Sequence, residues 1–237
     1  MKAVVLFSGG MDSCAALYKA DADGAEEIIA LTLGYGSRHM GREMRAAKQV
    51  VEWLKARGWA INHAEAALNH DLFVGAGSAL IAEDGVEVPH ADYAPSGPQP
   101  TIVPFRNANL ISAATALAVT HDYQTVYAAM HASDHLDWAY PDCSPEFLGA
   151  MANAVHVGTM QQVRLVTPFV WFDKAQIVSW ASALPGGRDI PWELTYSCYV
   201  GGELHCGECP TCRERQRAFS WGLGYDPTEY VNTEGVF

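Results

Sequence analysis

An apolar run that passes through two adjacent glycines into a helix start is the feature that most constrains this chain. The run is Lys2–Phe7, and it is followed by Ser8–Ser13, which has the sequence Ser-Gly-Gly-Met-Asp-Ser. Adjacent glycines let backbone N–H groups converge, and the helix N-terminus adds partial positive charge, so this unit favours a bound phosphate. Ser8 and Ser13 add hydroxyl donors, and Asp12 lies where a helix cap or a metal-bridging carboxylate is found. A tight turn with an aspartate cap is the alternative, although the glycines and serines exceed what a turn requires.

The two common nucleotide-binding loops do not fit this sequence. The chain has no Gly-Lys pair, which excludes a Walker A loop, and Gly34-Tyr-Gly36 and Gly75-Ala-Gly77 lack the third glycine of a dinucleotide fingerprint. The segment Ser8–Ser13 instead resembles the pyrophosphate loop of the ATP pyrophosphatases, which activate a substrate oxygen by adenylation.

Composition indicates a globular protein that acts on a small molecule. The chain has 237 residues, 49% of them hydrophobic and 18% charged, which suits one α/β domain with an appendage. The net charge of −12 argues against a broad basic face, so we expect no direct nucleic-acid binding. The first apolar run is too short for a signal peptide and no run approaches a membrane span, so we expect a cytoplasmic protein without membrane contact.

The order of apolar and amphipathic runs predicts an α/β fold with a doubly wound, mainly parallel sheet. The predicted strands are Lys2–Phe7, Glu27–Leu33, Trp59–His63, Thr125–Met130 and Arg164–Val170, and the predicted helices are Asp12–Ala20, Arg42–Arg57, Arg106–His121, Pro145–Val157 and Lys174–Leu184. Residues 68–104 form a long irregular segment, a kind that is usually functional or mobile. We divide the chain into an α/β domain, residues 1–190, and a C-terminal segment, residues 191–237, which ends in a basic helix.

Four cysteines in the C-terminal segment predict a metal site. Cys198, Cys206, Cys209 and Cys212 have the short spacings that aim four sulfurs at one ion, and disulfides are not expected in a cytosolic chain. A closed shell of four thiolates indicates structural zinc; an iron–sulfur cluster, or His205 in place of one thiolate, is the alternative.

Cations are rare enough in this chain to be informative. Lys174 is the only lysine after Lys55, and Arg106 is the only arginine between Arg57 and Arg164. Lys174 follows a predicted strand at a helix start, where an α/β sheet binds ligands, so it is a candidate for neutralising phosphate charge. A solvated lysine at a helix start is the alternative.

Acidic and aromatic side chains are dense in the segment 131–147, which follows another predicted strand. Asp134, Tyr140 and Asp142 suit recognition of a purine-like base, because carboxylates accept its N–H groups and aromatic rings stack on it. A capped loop with Cys143 as a small buried residue is the alternative, and Cys143 as a nucleophile is a further one.

Six motifs together identify the chain as a member of a known family. In one order along the chain they are Ser8–Ser13, Tyr35-Gly-Ser-Arg-His39, Val103-Pro-Phe-Arg-Asn107, Tyr140-Pro-Asp-Cys143 with Pro145-Glu-Phe147, Thr167-Pro168 with Lys174-Ala175, and Cys206-Gly-Glu-Cys-Pro-Thr-Cys212. This series resembles the 7-cyano-7-deazaguanine synthase family, QueC, over nearly the whole chain. Two positions depart from the commoner pattern: Trp138-Ala139 replaces Ser-Gly, and Phe105 replaces glycine.

The resemblance implies an enzyme that uses ATP twice. ATP adenylates the carboxylate of 7-carboxy-7-deazaguanine, ammonia gives the amide, and a second ATP converts the amide to the nitrile. A paralogue that stops at the amide or joins the deazaguanine to an amine of a partner protein is the alternative, and a non-catalytic zinc-ribbon adaptor is another.

The resemblance also implies cofactors and site residues. These are ATP, Mg²⁺ and structural Zn²⁺, and a homodimer is expected. The assigned ATP residues are Phe7, Ser8, Gly9, Gly10, Met11, Asp12 and Ser13; the catalytic residues are Asp12, Lys174 and Arg106; and the substrate residues are Arg106, Asn107, Asp134, Trp138, Tyr140 and Asp142.

Overall fold

The computed structural model describes residues 1–90, 92, 99–135, 139–184 and 189–231. Its strands are β1 (Lys2–Leu6), β2 (Glu27–Gly34), β3 (Ile61–Ala67), β4 (Thr125–Tyr127) and β5 (Arg164–Val166), and its helices are α1 (Met11–Ala22), α2 (Met40–Lys55), α3 (Arg106–Thr120), α4 (Ala132–His135), α5 (Pro145–Gly158), α6 (Lys174–Ala183) and α7 (Pro210–Gly222). In the described part of the chain, no helix is both long enough and apolar enough to cross a bilayer.

The five strands form one parallel sheet in the order β3-β2-β1-β4-β5. The chain moves outward from β1 in one direction and then returns to place β4 on the other side of it. This confirms the predicted doubly wound fold, and it puts the loop after β1 at the topological switch point, where such sheets bind ligands.

Alternation along β1 divides the apolar side chains between two cores. Ala3 and Val5 face one core with α1, α2 and α6, whereas Val4 faces the other with α3 and α5. Both faces of the sheet are therefore covered by helices, as the continuous apolar strands require.

The strands β4 and β5 are shorter than the sequence predicted. The last bond between them is donated by the Ala128 N–H to the Val166 carbonyl at 3.0 Å. Beyond that bond both segments leave the sheet at its carboxyl edge. Met130, after β4, lines the cavity, whereas Phe169 and Val170, after β5, pack in the two cores. Apolar pattern alone does not distinguish these environments from a strand.

The C-terminal segment packs directly on the α/β domain. Helix α7 crosses α6 so closely that a Cβ on Gly222 would lie 2.8 Å from the Ala175 carbonyl oxygen. Helix α7 was correctly predicted as a basic helix, but its central arginine does not face solvent. Arg215 is fully buried, and its guanidinium donates to the carbonyl of Trp192 at 2.9 Å and to the hydroxyl of Thr228 at 2.7 Å.

Candidate active site

The loop after β1 is held in an unusual backbone conformation by α2. Gly9 has a φ of +83°, and a Cβ there would lie 2.6 Å from the Glu43 carbonyl oxygen and 2.8 Å from the Ala47 nitrogen. A side chain would therefore collide with helix backbone, which cannot move aside cheaply. The C-terminal segment closes the loop from the other side, since the Tyr196 N–H donates to the Gly9 carbonyl at 2.9 Å.

The hydroxyls of the loop bond to the loop itself. The Ser13 hydroxyl donates to the Gly10 carbonyl at 3.0 Å, and the Gly10 N–H donates to the Ser8 hydroxyl at 3.2 Å. Asp12 makes no capping bond to α1, and its Oδ1 atom is buried without a hydrogen-bond partner among the described residues. The aspartate-capped turn is therefore the wrong interpretation, and Asp12 lines the cavity instead.

Lys174 joins the loop to the C-terminal segment. Its Nζ lies 2.8 Å from Glu214 Oε2 on α7 and 3.6 Å from Asp12 Oδ2. Burial lowers the pKa of Lys174, but the carboxylates of Glu214 and Asp12 more than offset this, so its pKa is raised and the ammonium stays charged. The solvated-lysine alternative is wrong, because only 8% of this residue is exposed.

A capping box fixes the start of the helix that carries Lys174. The Gln176 N–H donates to the Asp173 carboxylate at 2.7 Å, and the Asp173 N–H donates to the Gln176 side chain at 2.9 Å. These reciprocal bonds satisfy N–H groups at the helix start that have no intrahelical partner. Lys174 is the first residue of α6, so its position relative to the loop is set by the backbone.

His131 and Asp134 complete the charged group on this side of the site. His131 follows β4, and its Nε2 lies 3.3 Å from Asp134 Oδ2 and 3.8 Å from Asp12 Oδ2. Burial raises the pKa of Asp134 above its usual value, although His131 partly opposes the shift.

Arg106 begins α3 on the opposite side of the site. Its Nη1 donates to the Tyr35 hydroxyl at 3.1 Å, and the guanidinium lies 5.4 Å from the centre of the Tyr35 ring. The preceding Phe105 has a φ of +54°, which is unusual for a bulky residue and turns the chain into the helix. The Phe105 side chain is 64% exposed and stacks edge-on against Phe147, so it does not line the site.

One cavity of about 240 Å³ brings most of these groups together. Among the residues predicted from sequence, those that line it are Phe7, Ser8, Gly10, Asp12, Ser13, Arg106, Asn107, Asp134, Tyr140 and Lys174. Gly9 shapes the loop from behind, and the Met11 side chain is buried in the core.

One predicted substrate residue among the described ones, Asp142, does not line the cavity. Asp142 instead accepts a hydrogen bond from the Asn107 N–H at 2.9 Å and thereby satisfies the start of α3. Trp138 lies outside the described residues. Cys143 does line the cavity, but burial raises the pKa of its thiol well above the usual value and Asn107 bonds to its sulfur at 3.1 Å.

The four cysteines of the C-terminal segment form one cluster. The sulfur atoms of Cys198, Cys206, Cys209 and Cys212 all lie within 4.8 Å of one another. Cys206 and Cys212 are 3.9 Å apart at sulfur, close to the edge of about 3.8 Å in a tetrahedron with metal–sulfur bonds of about 2.3 Å. His205 is not part of the cluster, since its Nε2 accepts a bond from the Ser197 N–H at 3.0 Å.

Several charged or polar residues at the site escaped sequence-based assignment. Glu214 contacts Lys174 from α7, but it lies among arginines, so its sequence neighbours suggested a basic helix surface. His39 and Glu43 line the cavity. His39 belongs to the Tyr35–His39 motif, which was a signal for the region but not for a role.

The fold, and the cavity at the switch point of its parallel sheet, are typical of one class of protein: α/β enzymes that bind phosphate-containing substrates. The model of the family described as "Queuosine biosynthesis protein QueC" matches residues 2–222. The chain therefore belongs to the QueC family of ATP-dependent enzymes. It is 39% identical over 234 residues to the 7-cyano-7-deazaguanine synthase of Methanoculleus marisnigri, covering 97% of this chain and 98% of that one. It is 40% identical over 220 residues to the synthase of the same name from Archaeoglobus fulgidus, covering 92% and 86%.

Proposed function

We propose that this enzyme converts 7-carboxy-7-deazaguanine and ammonia to 7-cyano-7-deazaguanine with ATP, through an adenylated carboxylate and an amide. The observation that carries the proposal is that a glycine-rich loop, a buried lysine and a partly buried arginine line one cavity. The names of the similar proteins support this product.

The first chemical step needs both ends of the cavity. A carboxylate is a poor electrophile, and transfer of AMP to one of its oxygens converts that oxygen into a leaving group. We assign to Arg106 the role of holding the carboxylate through its forked N–H groups. We assign to the loop amides and Lys174 the role of stabilising the charge that develops on the departing pyrophosphate. Asn107, Asp134 and Tyr140 line the same cavity and are proposed to contact the base.

The second step reuses the same groups. A second ATP activates the amide oxygen, and loss of AMP together with the N–H protons leaves the nitrile. We propose that no additional side chains are needed for this step, because the amide oxygen takes the position that the carboxylate oxygen held in the first step.

Two metals fit the described residues. The unpartnered Asp12 Oδ1 suits Mg²⁺, which binds carboxylate together with substrate phosphates and would neutralise phosphate charge there. The four-cysteine cluster suits Zn²⁺ in a closed structural site, whose binding contributes directly to folding of the C-terminal segment. Both assignments, and a homodimeric assembly, are proposals.

The test is a product analysis of purified enzyme supplied with 7-carboxy-7-deazaguanine, ATP and ammonium. Mass spectrometry should find the nitrile, with two AMP formed for each nitrile. Lys174→Met should abolish product, whereas Lys55→Met on the exposed end of α2 should not. An amide as the final product would identify a paralogue that stops early, and product formed only with a partner protein present would identify a conjugating enzyme. Absence of ATP turnover would leave the adaptor hypothesis.

A further inference from the structure

Two polar side chains of the cavity, one buried and one partly buried, have no part in the chemistry described so far. His39 immediately precedes α2, and Glu43 lies one turn further along it. The imidazole is 3% exposed and the Glu43 side chain 21% exposed, and both line the cavity. His39 Nε2 is 3.6 Å from Glu43 Oε1, which is longer than a hydrogen bond. His39 Nδ1 is buried and has no hydrogen-bond partner among the described residues.

An unpartnered buried nitrogen beside a partly buried carboxyl group, both lining one cavity, indicates a polar ligand at this pair. A buried polar atom without a partner costs free energy, so a site that leaves one toward a cavity is built for an occupant that satisfies it. Ionised Glu43 and the neutral His39 ring each offer a hydrogen-bond acceptor, which suits an occupant that donates N–H or O–H groups.

The groups around the pair shift the pKa of both side chains. Burial raises the pKa of Glu43 to about 8, and the guanidinium of Arg106 on α3 partly opposes this shift. Burial, followed by Arg106, lowers the pKa of His39 to about 4, so the imidazole is neutral. The aromatic groups that face the pair are Tyr35, which bonds to Arg106, and Tyr199, whose ring centre is 5.4 Å from that of His39.

We propose that Glu43 and His39 bind ammonium in this cavity and that Glu43 accepts its proton, so that ammonia attacks the activated carboxylate. Ammonium presents N–H donors in every direction and no acceptor, which complements a carboxylate and an imidazole nitrogen. The carboxylates on the opposite side of the cavity are less suitable for binding ammonium, because Asp12 and Glu214 lie against Lys174 and neutralise its charge. The inference rests on the proposed function, because it supplies that reaction with its nucleophile.

Protons and bonds balance in the proposed step. Ammonium gives one proton to the Glu43 carboxylate, and the freed nitrogen lone pair forms the C–N bond. The C–O bond to AMP breaks, and its electron pair leaves with the phosphate oxygen. The surplus N–H proton passes to water, and Glu43 returns its own proton to water through the open side of the cavity. A carboxyl group whose pKa lies near neutrality is suited to accept and release a proton in each turnover.

The test separates nucleophile activation from adenylation. Glu43→Gln keeps the shape and removes the base, and Glu52→Gln, on an exposed part of the same helix, is the matched control. Adenylation is measured without any amine, as exchange of labelled pyrophosphate into ATP that depends on the carboxylate substrate. Acyl transfer is then measured with ammonium and with hydroxylamine, which is largely unprotonated at neutral pH and needs no base to expose its lone pair.

Glu43→Gln should lower the ammonium-dependent rate by about a hundredfold or more, which is the range for loss of a general base. Pyrophosphate exchange and the hydroxylamine reaction should stay within a few-fold of wild type. The rate of acyl transfer from wild-type enzyme to hydroxylamine should not change as the pH passes through the Glu43 pKa of about 8. Equal losses with both nucleophiles, or an unchanged ammonium rate, would overturn the proposal.

Binding of ammonium is measured separately, so that failure of the proposed function is distinguishable from failure of this inference. The line width of ¹⁵N-labelled ammonium should increase in the presence of wild type and of Glu52→Gln, and it should not increase with Glu43→Gln. Absence of broadening with wild type would refute the ammonium site even if adenylation proceeds. Absence of pyrophosphate exchange with normal broadening would refute the proposed function alone.

Discussion

Replacement of Gly9 by alanine is expected to damage both the fold and the nucleotide site. A non-glycine residue in the left-handed conformation costs about 1–2 kcal/mol. The added Cβ would also lie 2.6 Å and 2.8 Å from backbone atoms of α2, which must shift to make room. Overpacking of this kind costs about 1–3 kcal/mol, so the free energy of unfolding should fall by about 2–5 kcal/mol in total.

The chain offers a matched control at Gly24. This residue has a φ of +85°, and a Cβ there would meet nothing within 4 Å. Gly24→Ala therefore carries the conformational cost alone, about 1–2 kcal/mol. The difference between the two variants isolates the collision with α2 from the strain of the backbone.

Urea denaturation of both variants, with ATP affinity measured by calorimetry, checks this reasoning. Gly9→Ala should unfold at a lower urea concentration than Gly24→Ala, and it alone should weaken ATP binding, since moving the loop from α2 misplaces the amides that face phosphate. Equal stabilities together with unchanged ATP affinity would show that the close approach to α2 has no energetic importance.

Four further outcomes are expected. Asp12→Asn should reduce turnover by about a hundredfold while the fold is kept, as loss of a transition-state group does, and phosphorus NMR should find AMP and pyrophosphate and not ADP. Elemental analysis should find one zinc per chain, and iron, or active protein without metal, would contradict the structural zinc site. Trp138→Ala should raise the KM of the deazaguanine substrate about tenfold or more through lost stacking; lower thermal stability with an unchanged KM would remove this residue from the site. Because the pKa of His39 is lowered from 6.5 to about 4, the unfolded chain binds more protons between these values, so the free energy of unfolding should fall as pH drops through that range. Denaturation curves should show a weaker fall for His39→Gln than for wild type or for the exposed-site control His121→Gln.

Local patterns in the sequence were sufficient for the fold and for the loop. The β1–loop–α1 unit is continuous in the chain, and its strand, glycines and helix start each have a local signal. The cysteine cluster was predictable for the same reason, because three of its members lie within seven residues, Cys206–Cys212. Lys174 was found because lysine is rare after residue 55, which made composition informative.

Other parts of the site depend on which helix faces meet, and sequence carries no local signal for that. Glu214 and Glu43 are ordinary helix residues by pattern, and only the packing of α7 and α2 against the loop turns them inward. The role of Asp142 in satisfying the start of α3 is likewise invisible without the tertiary contact to Asn107. The substrate residues therefore remain predictions, whereas their enclosing cavity is described.

The bond from the Tyr196 N–H to the Gly9 carbonyl has a consequence for the order in which a new chain becomes competent. Residues of the loop leave the ribosome early, but the peptide group that closes the loop and the carboxylate of Glu214 that holds Lys174 are made near the end of synthesis. We therefore expect a nascent chain to form the β1–β2–β3 part of its sheet long before it can bind a nucleotide. We likewise expect partly synthesised or truncated chains that lack Tyr196 and Glu214 to turn over little ATP, because the C-terminal segment completes the surroundings of the first loop.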